Sequence, residues 1–358
     1  MTIRCGTICY ACQSGLGILA KSFYDHGIVN DAFVVEHSHH PTQWSWYLDA
    51  PHCPIRKLEQ NACELRRFVD GLDILLCFET PFFWPIVSYA KSKGVKTVCM
   101  PMYECSLTNP PATFDEYWCP SLLDLRYFSE MHMPEGERVS PFETYHGVHG
   151  SVSRFTPVPV EVEWKQRHTA KVFVHNAGHG GLKGRNGTNE LVEALSFAKS
   201  PATFLIRSQE YQSDVEESLA KISSTVDVHY SSGTRDAKDL YTEGDIFLFP
   251  EKFNGLSLPL QEARAAGMLV MSVDRYPMNT WLPDGPLIPV VTTVKNRIGP
   301  PYMEFDEAVI NPRMIAEKID EFYGVDIHEY SLNGLFWSRK MSWDVLGPKY
   351  LELLEGLK

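Results

Sequence analysis

The residues best suited to chemistry lie in two stretches of the second half of the chain. Phe249-Pro-Glu-Lys-Phe-Asn-Gly-Leu-Ser-Leu-Pro-Leu-Gln-Glu-Ala-Arg runs from an apolar strand end, through a loop bearing Asn254 and Gly255, into a helix start at Leu256, Ser257 and Leu258. Backbone N–H groups at a helix start have no partner within the helix, so they suit a phosphate or a sugar hydroxyl. Glu262, in the first turns of that helix, is expected to point back toward the loop, where a carboxylate can accept two hydrogen bonds from a ribose diol. Upstream, Asn176-Ala-Gly-His-Gly-Gly-Leu-Lys-Gly-Arg-Asn-Gly is a glycine-rich strand-to-helix loop that holds Gly181, Lys183 and Arg185. Open amides beside cations suit a diphosphate. Arg207 and Tyr230 close the two strands that follow, and the carboxyl ends of such strands face the same ligand crevice.

These groups need a scaffold, and the apolar patterning supplies one. In the first half, strands at Ile3–Tyr10, Ala32–Glu36, Asp73–Phe78 and Lys96–Met100 are interleaved with helices at Leu16–His26, Phe83–Ser92 and Leu122–Phe128. A Pro- and Val-rich linker around Pro157, Pro159, Val160 and Val162 follows. Alternation then resumes, with strands at Lys171–His175, Thr203–Arg207, Val226–Tyr230, Ile246–Pro250 and Leu269–Val273. Helices are expected at Asn189–Phe197, Asp214–Ser223, Ala237–Tyr241 and Pro259–Ala266. Strands separated by helices imply parallel sheets. The expectation is an α/β chain of two doubly wound, Rossmann-like domains facing a cleft at the carboxyl ends of both sheets.

Composition narrows the partners. The 358 residues suffice for two cores, and 33 Lys and Arg against 45 Asp and Glu leave a net charge of −12. That field disfavours nonspecific binding to nucleic acid or anionic membranes. All nine cysteines lie at or before Cys119. Cys9 and Cys12 have no second pair with which to form a zinc ribbon, so reduced structural thiols are expected. His37, His39, His40 and His52 lack the spacing of a metal site and read as loop residues, and Trp44, Trp46 and Tyr47 read as packing. No apolar run is long enough to span a membrane, and Met1 to Tyr10 reads as a strand rather than a leader, so a cytoplasmic protein without integral membrane association is expected.

The motifs together resemble those of retaining, nucleotide-sugar-dependent glycosyltransferases of the GT-B fold, the group that includes glycogen, sucrose and lipid-glycan transferases. The resemblance rests on Lys183-Gly184, on Asp239-Leu-Tyr-Thr-Glu-Gly-Asp-Ile-Phe-Leu-Phe-Pro, and on Glu262-Ala-Arg-Ala-Ala-Gly-Met-Leu-Val. Ser342-Trp343-Asp344 resembles the family's tail. Gly15-Leu-Gly17, Pro120-Ser121 and Gly147-Val-His149 are weaker echoes. It implies an acceptor-side domain over residues 1–156, a donor-binding domain over 157–335, and a final segment, 336–358, that crosses back to the first domain.

The resemblance also implies a UDP- or GDP-sugar donor and sugar transfer to a hydroxyl with retention, the departing phosphate taking the acceptor proton. No metal is expected, there being no Asp-x-Asp motif. Lys183, Arg207 and Glu262 are then the expected catalytic set. Gly15, Gly17, Gly181, Arg185, Tyr230, Asn254, Gly255, Leu256, Ser257 and Leu258 join them in donor binding, and Glu104, His146 and His149 are the side chains available as a base. Two departures stand out: the family's first Glu, with seven residues between it and the second, is Asn254 here, and its Arg a few residues before the Lys is missing, replaced by Gly178 and its neighbours, with Arg207 as the candidate substitute. A soluble glycan or small hydroxyl compound is the expected acceptor. The alternatives are hydroxymethylated bases in DNA, as in phage DNA-modifying members of this fold, or a sugar-nucleotide-binding protein without catalysis.

Overall fold

The structure is a computed structural model that describes residues 3–130, 139–222, 225–282, 285–299 and 303–358. It divides into two compact units, one of Met1–Pro159, Ile298–Glu304 and Ser342–Lys358, the other of Val160–Arg297 and Phe305–Met341.

The first unit is built on β1 (Cys5–Tyr10), α1 (Gly15–Asp25), β2 (Asp31–Glu36), β3 (His52–Pro54), α2 (Ala62–Val69) and β4 (Ile74–Glu79). It continues through α3 (Pro85–Ser92), β5 (Lys96–Pro101), β6 (Glu116–Cys119), α4 (Leu122–Phe128), β7 (Tyr145–His146) and β8 (Val152–Phe155). The sheet order is β3-β2-β1-β4-β5-β6-β8-β7, parallel throughout except where β7 runs against β8. Ile74, Leu75, Leu76, Cys77 and Phe78 of β4 are all buried, as expected of a strand covered on both faces by helices. Ser14 caps α1 by accepting the Gly17 N–H at 3.1 Å, which satisfies one of the orphan donors of that terminus. Gly17 is required locally, because a Cβ there would stand 2.2 Å from the Cys12 carbonyl oxygen.

The second unit contains β9 (Val172–Gly178), α5 (Thr188–Leu195), β10 (Thr203–Ser208), α6 (Ser213–Ala220), β11 (Asp227–Ser232), α7 (Ala237–Leu240) and β12 (Ile246–Phe249). Then come α8 (Leu258–Ala265), β13 (Leu269–Val273), α9 (Met278–Trp281), β14 (Leu287–Ile288), the paired strands β15 (Val290–Ile298) and β16 (Met303–Ile310), of which Ile298, Met303 and Glu304 group with the first unit, α10 (Pro312–Phe322) and α11 (His328–Lys340). Its main sheet runs β11-β10-β9-β12-β13-β14. Phe173, Phe204, Leu248 and Met271 from the strands bury with Leu191 of α5 and Ile315 of α10 in one core. Inside it, His175 of β9 lies between the Leu248 carbonyl and the Thr188 hydroxyl, each at 2.9 Å. Burial drives its pKa down to about 4, so it is neutral.

α11 stays with the second unit, where Trp337 stacks on Arg264 at 4.8 Å. The chain joins the first unit again at Ser342, in α12 (Trp343–Leu357). There the Trp343 indole donates to Ser22 at 2.8 Å, and the Tyr350 hydroxyl reaches the Thr156 and Pro157 carbonyls at 3.1 Å. The return therefore begins at Ser342 rather than at residue 336.

Each sheet reverses its winding direction at one place, between β1 and β4 in the first unit and between β9 and β12 in the second. At such switch points the loops leaving the two strands part and open a crevice for a ligand. In the second unit those loops are the glycine-rich stretch after Gly178 and the stretch after Phe249.

Candidate functional site

The glycine-rich loop leaves β9 at Gly178, turns through Gly181–Lys183 and enters α5 after Gly187. Gly187 has φ 71°, and a Cβ on it would stand 2.1 Å from the Pro250 carbonyl oxygen. Glycine is thus what lets this loop pack directly on the loop that follows β12. The Lys252 N–H donates to the Arg185 carbonyl at 2.7 Å and joins the same two loops. Lys183 is exposed; its backbone N–H donates to the Gly180 carbonyl at 3.1 Å, and among the described residues its ammonium group has no hydrogen-bond or ion-pair partner. Arg185 is half-exposed, with its Nε 3.6 Å from Glu251 Oε1.

The loop after β12 is held by its own side chains. Asn254 Oδ1 accepts the backbone N–H of Leu256 at 2.9 Å and of Ser257 at 2.8 Å. Its Nδ2 donates to Glu251 Oε1 at 2.6 Å, and the Ser257 hydroxyl donates to Glu251 Oε2 at 2.6 Å. Gln261 Nε2 closes the turn on the Leu256 carbonyl at 2.8 Å. Ser257 adopts φ 52°, a left-handed conformation that costs a non-glycine residue on the order of 1 kcal/mol. The side-chain bonds offset that strain. The expectation of open amides at Leu256 and Ser257 is corrected: Asn254 occupies both, and its amide serves the loop rather than facing outward.

Glu262, on α8, accepts the Tyr241 hydroxyl at 2.6 Å. Burial pushes the carboxyl up to about 7, and the Tyr241 hydrogen bond opposes the rise. Arg207 lies one residue from the end of β10, opposite Asn176 of β9, but its guanidinium is spent inside the unit. It donates to the Leu240 carbonyl and to Glu243, and only 5% of the residue is exposed. Desolvation, with Arg235 nearby, lowers its pKa, and Glu243 works against the drop. Arg207 thus braces the Leu240–Glu243 turn that places Tyr241 against Glu262, a different role from the expected phosphate contact. Tyr230 is also an internal brace: its hydroxyl pairs with Ser208 Oγ at 2.6 Å and accepts the Gln212 N–H at 2.9 Å.

The structure thus groups Lys183, Arg185, Asn254, Gly255 and Ser257 on the two switch-point loops, and links Arg207 to Glu262 through Tyr241. Gly15 and Gly17 begin α1 in the first unit, and the Gly17 N–H is taken by Ser14. Glu104 is buried in the turn after β5. Next to it, Asp124 is raised to about 8 by burial and by Glu104. His146 is exposed on β7, and His149 sits in a left-handed turn with φ 58°. Sequence reasoning missed Glu251; the signal was the spacing by three of Glu251, Asn254 and Ser257, polar residues that recur outside any helix.

Among the described residues no group of three or more His, Cys, Asp and Glu is arranged to hold a metal ion, and no helix is long and apolar enough to cross a membrane. The nine cysteines are free thiols.

Comparison with solved structures places the fold. HepE from Anabaena, in complex with UDP and glucose, matches with TM-score 0.63 and 10% identity, over 99% of this chain and 100% of that one. A glycosyltransferase from Rickettsia africae matches with TM-score 0.61 and 13% identity, over 99% of this chain and 98% of that one. The GtfA/B complex matches with TM-score 0.56 and 13% identity over 82% of this chain, which spans 60% of that longer one. The chain matches no protein-family model and no curated protein. The fold is therefore the GT-B fold, with two Rossmann-like domains on parallel sheets.

Proposed function

We propose that this protein is a glycosyltransferase that uses a nucleoside diphosphate sugar, held by the second unit at the ends of β9 and β12. The observation that carries this reading is the packing of a glycine-rich loop bearing two cations, Lys183 and Arg185, onto the Asn254–Ser257 turn at the switch point. Neighbours of the same fold are described in complex with UDP and UDP-glucose, which favours a UDP-sugar as donor.

The leaving diphosphate gathers negative charge as the glycosidic bond breaks, and preorganised cations stabilise that charge more in the transition state than in the ground state. Lys183 and Arg185 take this role. Glu262 binds the ribose diol, its carboxylate aimed by Tyr241, which Arg207 and Glu243 hold in place. The anomeric outcome is retention, with attack from the face of the departing phosphate, and the acceptor is a soluble hydroxyl compound recognised by the first unit. No side chain is assigned as nucleophile.

Purified protein incubated with a panel of UDP- and GDP-sugars and soluble glycans, followed by mass spectrometry, tests the reading. A glycosylated product and the free nucleoside diphosphate are expected from one donor of the panel. Intact donors throughout, with no nucleotide bound, contradict it.

A further inference from the structure

The loop after β12 holds a buried carboxylate that the mechanism above does not use. Glu251 is 1% exposed. Its two oxygens accept the Asn254 amide and the Ser257 hydroxyl, each at 2.6 Å, and Arg185 approaches Oε1 to 3.6 Å. A buried carboxylate is costly unless donors and a counter-charge surround it. Here the donors come from one switch-point loop and the counter-charge from the other.

Resting on the reading of these loops as a diphosphate site, we infer that Glu251 is its positioning residue. The carboxylate is enclosed, so it does not touch the ligand itself. One face of it fixes the Asn254–Ser257 turn, with its left-handed Ser257, at the start of α8. Its charge holds the Arg185 guanidinium, whose other flank lies 5.9 Å from the Phe253 ring, where the half-exposed side chain can meet phosphate oxygens. Ordering a long cation before the ligand arrives removes part of the entropy cost of binding. The chain thus has a carboxylate in this loop although the family's acidic position is Asn254, and Glu251 acts on a cation where the family's residue would act on the sugar.

The inference is tested by calorimetry on the full chain, titrating the diphosphate (UDP or GDP) that binds the wild type more tightly and then the corresponding nucleoside. Glu251→Gln keeps the size of the side chain and removes its charge. The expected result is diphosphate binding weakened about tenfold and nucleoside binding unchanged, so that the affinity ratio falls. In an Arg185→Ala background, Glu251→Gln should cause no further loss of diphosphate affinity. Equal losses for diphosphate and nucleoside, or full additivity with Arg185→Ala, overturn the inference, because the residue would then be only structural. Should Glu251→Gln fold poorly, Glu251→Asp, which keeps the charge, is measured with the same ratio; a ratio closer to wild type than that of Arg185→Ala supports the inference, and one as low as Arg185→Ala overturns it. Wild-type protein that binds neither UDP nor GDP overturns the donor reading and the inference with it, whereas wild-type binding with an unchanged ratio in Glu251→Gln overturns the inference alone.

Discussion

The Tyr241 hydroxyl donates to the Glu262 carboxylate at 2.6 Å, although α7 and α8 belong to different βα repeats of the second unit. Burial disfavours the charged form of the carboxyl more than Tyr241 favours it, and so pushes its pKa up to about 7. Only the ionised carboxylate offers full acceptor capacity to a ribose diol. Nucleoside affinity should therefore rise with pH through about 7. Titration of the bare nucleoside between pH 6 and 8 avoids the ionisation of a terminal phosphate; a flat profile in Glu262→Gln and a rising one in wild type is the expected pair.

Stability carries a second pH signature. His175 has its folded pKa depressed to about 4 from an ordinary 6.5. Between these values the unfolded chain binds a proton that the folded one refuses, so the stability His175 supports is intact above pH 6.5 and is lost as pH falls toward 4. Relative to His175→Gln, wild-type protein should lose about 1.4 kcal/mol per pH unit across that window. Urea melts at several pH values measure it. Glu262, with its folded pKa raised, has the opposite sign: it costs stability as pH rises from 4.5 to about 7, so only the difference between the variant and wild type isolates His175.

Lys183→Ala should weaken nucleoside diphosphate binding by about 1.5–3 kcal/mol, the scale of a hydrogen bond to a charged group. The melting temperature should not move, because the Lys183 side chain is exposed and, among the described residues, its ammonium group pairs with nothing. Calorimetry and thermal melts on the same preparation decide it.

Arg207→Met should behave the other way. It leaves the Leu240 carbonyl without its donor and releases Glu243, so the melting temperature falls while diphosphate affinity per folded molecule stays within about twofold. A large selective loss of affinity would return Arg207 to the phosphate site.

The same loop predicts that restoring the family's acidic residue is harmful. Asn254→Glu brings a second carboxylate against Glu251 and removes the donor that satisfies it, so the melting temperature should drop. Adding Glu251→Ser should recover most of that drop. The recovery is read as coupling in a double-mutant cycle.

The fold was legible where buried strands are apolar along most of their length; β6, Glu116–Cys119, is buried throughout but short and begins with a carboxylate, and it was missed. β4 and β12 read as apolar runs and β9 as one up to His175, and their alternation with helices implied parallel pairing. β3, His52–Pro54, has three residues and only Cys53 buried, and α2 buries only Leu65 and Val69; neither element carries enough apolar periodicity to register. β15, whose middle residues are exposed, was equally silent. At the site, Gly187 and the cations of the glycine-rich loop were visible as residue types. Internal commitments were not: nothing in the types of Arg207, Asn254 and Tyr230 says whether their polar atoms face a ligand or the protein's own backbone. That depends on contacts across tens of residues, such as Arg207 with Glu243 and Glu251 with Arg185.

Whether the crevice between the β9 and β12 loops holds a nucleoside diphosphate is decided by titrating wild-type protein with UDP, GDP and their glucose conjugates and following the amide chemical shifts. Saturable one-to-one binding of one base is the expected result, with the shifts concentrated in the glycine-rich loop around Lys183 and in the turn from Glu251 to Leu258. Binding that leaves both loops unperturbed, or no binding of any of the four compounds, would contradict it.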